Sequence, residues 1–132
     1  MKEAECRELL CALLNDSGVQ WELYQGWVRL RFREGAMVWE LACLCRQNAV
    51  LIYSRYPMTV QDRLAALEAC SKANGQLTRG AMLLSGEVPT YRIRVDLRDP
   101  YGARDRLAEA LECSASAIVR FWGAIQAACQ RA

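Results

Sequence analysis

Cys43 and Cys45 stand two residues apart in AMVWELACLC, residues 36–45. On a strand, residues i and i+2 point to the same face, so the pair could offer two thiolates to one metal ion. A structural zinc site needs four ligands, usually from paired CxxC or histidine elements. The chain has no CxxC and no histidine. A disulfide between the two is disfavoured, because such residues sit about 6.5–7 Å apart, the far limit of the allowed Cα separation. Burial is the expected role of both, since free cysteine is among the most buried residue types. Cys6, Cys70 and Cys129 fall on or beside apolar helical stripes and share that expectation, whereas Cys11 and Cys113 have no clear place.

Glu40 lies mid-strand among apolar neighbours. A desolvated carboxylate could serve as an acid or base. The simpler expectation is that it reaches water or pairs with an arginine on a neighbouring strand. No nucleophile, second carboxylate or phosphate-binding glycine loop accompanies it, and the absence of histidine removes the commonest general base. No catalytic residue, metal ligand or cofactor is therefore assigned.

Arginines form the third set. Arg29, Arg31 and Arg33 share one face of WVRLRFR, and Arg92 and Arg94 share one face of YRIRVDL. Were those strands adjacent, Arg29, Arg31, Arg92 and Arg94 would gather guanidinium groups suited to carboxylate or phosphate recognition. A single-stranded nucleic acid would also need exposed aromatics among the charges. Phe32 and Tyr91 alternate to the opposite face, and a net charge of +2 gives little long-range attraction, so nucleic acid is disfavoured as a partner.

The fourth set is apolar. AMVWELACLC fails to alternate: Met37, Trp39, Leu41, Cys43 and Cys45 share one face, and Val38, Ala42 and Leu44 share the other with Glu40. The next strand, AVLIYS, is apolar throughout. One apolar set must pack on helices and the other must find a different cover. Exposed contiguous apolar surface usually marks an interface. Val38, Ala42, Leu44 and Leu51 are thus candidate protein-binding residues, with a second copy of the chain or another protein as the expected partner.

The elements that must position these residues follow from periodicity. Residues 2–14 predict a helix with Cys6, Leu10, Leu13 and Leu14 on its dry side, stopped by Asn15 to Gly18. Strands are predicted over 19–24, 27–33, 36–45 and 49–54, joined by hairpin-sized links. After Pro57 the period changes to 3.6, with Thr59 as the expected N-cap, Asp62 three residues on, and Val60, Leu64 and Leu67 as the buried stripe ending at Asn74-Gly75. A hairpin over 80–97 turns near Ser85-Gly86. A short helix around 103–111 and a longer one from about 115 to 130 close the chain, with Ile118, Phe121, Trp122, Ile125 and Cys129 on one stripe.

The 132 residues suit one domain, 1–132, of α+β class: an antiparallel sheet of about five to six strands with helices mainly on one face, order α-β-β-β-β-α-β-β-α-α. A hydrophobic share of 53% with 24% charged residues is globular composition. No apolar run approaches the roughly 20 residues of a membrane span, and no apolar stretch follows a basic start. Seven cysteines without an export signal point to reduced thiols in the cytoplasm.

LIYSRYPMTVQDRLAALEACSKANGQLTRGAMLLSGEVPTYRIRVDL, residues 51–97, resembles the YbjN domain, which is similar in fold to bacterial type III secretion chaperones. The resemblance rests on a strand running into Tyr56-Pro57, a helix ending in Asn74 before Gly75, the Gly80-Ala81 strand, and the Gly86-Glu87-Val88 hairpin leading to Tyr91-Arg92. The helix and meander of residues 2–54 agree with it in order. It implies a non-enzymatic, chaperone-like binding module that dimerises or holds a segment of another protein on apolar surface.

Overall fold

The computed structural model describes residues 1–130. Helix α1 (Glu3–Asp16) precedes strands β1 (Trp21–Tyr24), β2 (Trp27–Glu34), β3 (Met37–Arg46) and β4 (Ala49–Arg55). Helix α2 (Arg63–Asn74), strands β5 (Ala81–Ser85) and β6 (Val88–Asp96), and helix α3 (Ala103–Gln130) follow. The six strands form one antiparallel sheet in the order β1-β2-β3-β4-β6-β5. The first four pair as a meander, β6 then joins β4, and β5 is left at the far edge.

The strict alternation of β2 fixes which way the sheet faces. Val28 and Leu30 point into the core, and Arg29, Arg31 and Arg33 point away from it. Register carries that choice across the sheet. On the inner face Val28 lies opposite Cys43, Cys43 opposite Ile52, and Ile52 opposite Ile93. These residues join Leu10 and Leu14 of α1, Cys70 of α2, and Leu107, Ile118 and Ile125 of α3 in one buried cluster. All three helices therefore pack on a single face of the sheet.

Helix α1 buries the stripe its spacing predicts: Cys6, Leu10, Leu13 and Leu14. Helix α2 differs from expectation. It begins at Arg63, not after Thr59, because the Asp62 carboxylate accepts a bond from the Ala65 amide at 3.1 Å. The later start leaves Val60 in the preceding loop, buried, and turns Leu64 and Leu67 to solvent, 68% and 43% exposed. Ala65, Ala66, Cys70 and Ala73 face inward instead. Small side chains on the inward side let α2 pack against α3. Asp62→Ala removes the cap and should cost about 1 kcal/mol, read from chemical denaturation.

The C-terminal region also departs from the expected two helices, because α3 runs unbroken through 28 residues. Serines at 114 and 116 weaken the helical signal in sequence, since their hydroxyls compete for backbone groups. Ser114, however, is fully buried and hydrogen-bonds Ser54 of β4. One turn later the Tyr56 hydroxyl donates to the Ile118 carbonyl at 2.9 Å. With its hydroxyl used across the core, Ser114 no longer competes with the helix. No helix among the described residues is long and apolar enough to cross a membrane.

Candidate docking face

Away from the helices, the sheet presents rows of side chains set by register. One row runs Trp27, Leu44, Leu51, Arg94; the next runs Arg29, Ala42, Tyr53, Arg92; a third runs Arg31, Glu40, Arg55, Thr90. Val38 lies beyond them, opposite Arg33. The four candidate protein-binding residues, Val38, Ala42, Leu44 and Leu51, thus all sit on the face without helices, and each is half-buried. Their inward neighbours Trp39, Leu41, Cys43 and Cys45 are buried. The failure of β3 to alternate reflects one apolar set in the core and a second on the outer face.

The small Ala42 opens the centre of this face. Across it the Trp27 and Tyr53 rings meet edge to face, with centroids 5.5 Å apart and planes at 69°. The Arg29 guanidinium lies over the Tyr24 ring, 4.9 Å from its centroid. Aromatics therefore do stand among the outer arginines, contrary to the expectation built on Phe32 and Tyr91. Trp27 stands two residues before Arg29, and Tyr53 two before Arg55, so strand alternation already places each on the arginine side.

The candidate anion residues do not form one site. Strands β3 and β4 separate β2 from β6 by roughly 14 Å, so Arg29 and Arg31 lie far from Arg92 and Arg94. Arg29 approaches Glu22 at 3.8 Å, and Arg31 approaches Glu40 at 3.3 Å. Glu40 is exposed and takes the cross-strand arginine expected of it. These two pairs line an open hollow of about 620 Å³ beside the end of β1, with Trp21 and Leu30 at its apolar side. Arg33, Arg55, Arg92 and Arg94 make no ion pair among the described residues.

Cys43 and Cys45 lie in the core with Cys6. Burial pushes the Cys43 thiol far above its ordinary range, with Cys45 and Cys11 adding to the effect. Burial also raises Cys45, to about 11, against a smaller opposing pull from Arg7. No group of three or more Cys, Asp or Glu among the described residues is placed to hold a metal ion. Trp39, under the outer face, keeps its buried indole N–H without an acceptor.

Comparison with known proteins gives one anchor. No family model and no curated protein matches the chain. Among solved structures, the crystal structure of YbjN from E. coli, a candidate transcription regulator, superposes with a TM-score of 0.66. The match covers 91% of this chain and 89% of that one at 12% sequence identity, a level that carries fold and nothing finer. The chain has the YbjN fold.

Proposed function

We propose that the protein is a non-enzymatic protein-binding module that docks its partner on the outer face of the sheet. The observation that carries this reading is the half-buried strip Trp27, Ala42, Leu44, Leu51 and Tyr53, on a sheet whose helices all pack on the opposite side. The apolar centre rimmed by charge has the anatomy of an interface: a dry middle and a polar edge. A small-anion site using Arg29, Arg31, Arg92 and Arg94 is less well supported, since the two pairs are far apart and Arg29 and Arg31 already face glutamates. Both a second copy of the chain and a different protein would cover the strip. Seven free thiols suit a reducing compartment such as the cytoplasm.

The test is a pair of substitutions one residue apart. Leu44→Arg places a charge on the outer face and should leave the far-UV circular dichroism and the melting curve nearly unchanged. Cys43→Arg buries the same charge in the core and should unfold the domain. Native mass spectrometry of the protein purified from its own host should show an assembly for the parent chain and its loss in Leu44→Arg. A folded Leu44→Arg that keeps the full assembly would overturn the reading.

A further inference from the structure

Resting on that docking reading, we propose that the occupant of the outer face is an acidic protein segment with apolar anchors, held by Arg55, Arg92 and Arg94 beside the Leu44–Leu51 strip. Charge carries the argument. Across β1, β2, β3, β4 and β6 the face presents Arg29, Arg31, Arg33, Arg46, Arg55, Arg92 and Arg94 against Glu22, Glu40 and Asp96. That leaves four cationic charges in surplus on one face of a chain whose net charge is only +2. On β4 and β6, Arg55, Arg92 and Arg94 have no ion-pair partner among the described residues, and Asp96, two residues from Arg94 on the same face, is held by Arg98 at 2.6 Å.

A second copy is a poor occupant, because two-fold stacking sets the same patch against itself and brings like charges together. A single-stranded nucleic acid is poor for a different reason. It needs open ring faces for its bases, whereas Tyr24 is covered by Arg29, and Trp27 and Tyr53 are turned on each other. Leu44, Leu51 and Val38 suit aliphatic anchors. Arg92 and Arg94 stand two residues apart on β6, about 6.5–7 Å, the repeat at which an extended peptide presents every second side chain. Guanidinium groups at that spacing would each take one carboxylate in a two-bond grip.

The probe is a fluorescein-labelled peptide alternating glutamate and leucine, read by fluorescence anisotropy. A lysine–leucine peptide and a labelled oligothymidylate serve as comparisons. The acidic peptide should bind, and raised salt should weaken it, because the arginines are exposed. The double change Arg92→Glu and Arg94→Glu should weaken it by about tenfold or more, while Arg63→Glu on α2 should not. Tighter binding of the oligothymidylate, or indifference to the Arg92 and Arg94 changes, would overturn the proposal. Hydroxyl-radical footprinting of Trp27, Leu51 and Tyr53 separates the two readings. If no acidic peptide binds but these side chains become shielded as protein concentration rises, the acidic occupant fails and the docking face stands. If nothing shields them, both fail.

Discussion

Replacing Gly80 by alanine should destabilise the domain by about 2–5 kcal/mol, far more than the same change at Gly18. Both glycines have a left-handed backbone, with φ of +71° at Gly80 and +70° at Gly18. Conformation alone therefore costs about the same at each, of order 1–2 kcal/mol. The surroundings differ. A Cβ at Gly18 would meet nothing within 4 Å, whereas one at Gly80 would press on the Tyr91 hydroxyl, lie 2.5 Å from Tyr91 Cζ and lie 2.8 Å from the Arg92 carbonyl oxygen. Tyr91 has little freedom to yield. It is fully buried, and its hydroxyl donates to the Arg79 carbonyl at 2.7 Å. Making room means breaking that bond or moving β6. Tyr91→Phe removes the atom nearest the new Cβ, so Gly80→Ala should cost less in that background. Urea denaturation of the four proteins in this cycle gives the coupling directly. Equal costs at Gly80 and Gly18 would show that the contact does not constrain β5.

Why Gly80 matters is invisible along the chain, and the same divide runs through the molecule. Features set by local alternation were legible. The β2 pattern placed Val28 and Leu30 inside and its arginines outside, and the α1 spacing named all four buried residues. The two apolar faces of β3 were legible as a conflict with one-sided burial, and the sheet resolves that conflict by leaving one face without helices. Features set by partners distant in sequence were not legible. Nothing local states that β4 pairs with β6 and leaves β5 at the edge, so the distance between the two arginine strands was open. In α2, leucines at 64 and 67 outrank alanines in any apolarity count, yet closeness to α3 decides what is buried there. Ser114 reads as a helix interruption until Ser54 is seen across the core. Trp27 and Tyr53 were readable as outer-face residues from their two-residue offset to Arg29 and Arg55.

Raising the pH above about 9 should cost the protein several kcal/mol of stability. Burial raises the thiols of Cys43, Cys45, Cys70 and Cys129, and it raises the Tyr56 hydroxyl as well. Each of these groups is neutral when protonated, so the folded state holds its proton more tightly than the unfolded chain does. An unfolded thiol ionises near about 8.5. Below that pH the stability they confer is fully present. As the pH climbs toward about 11, where Cys45 ionises in the fold, the unfolded chain releases protons that the folded one retains, and stability falls. Every unit between the two pKa values is worth about 1.4 kcal/mol per group. Urea midpoints should therefore stay level from about pH 6 to 8 and fall steeply from about 9 to 10.5. Cys43→Ala loses packing at neutral pH but should show a shallower alkaline fall, because one buried ionisation is gone. Iodoacetamide should label the half-exposed Cys11 and Cys113 ahead of Cys6, Cys43 and Cys45. A flat profile to pH 10.5, or one labelling rate for all seven cysteines, would contradict this. The same physics separates the two uses that a Cys-x-Cys pair could have. Metal binding or thiol exchange needs a thiolate, and the packing of α1 on β3 penalises that form, so here the thiols serve as small apolar side chains.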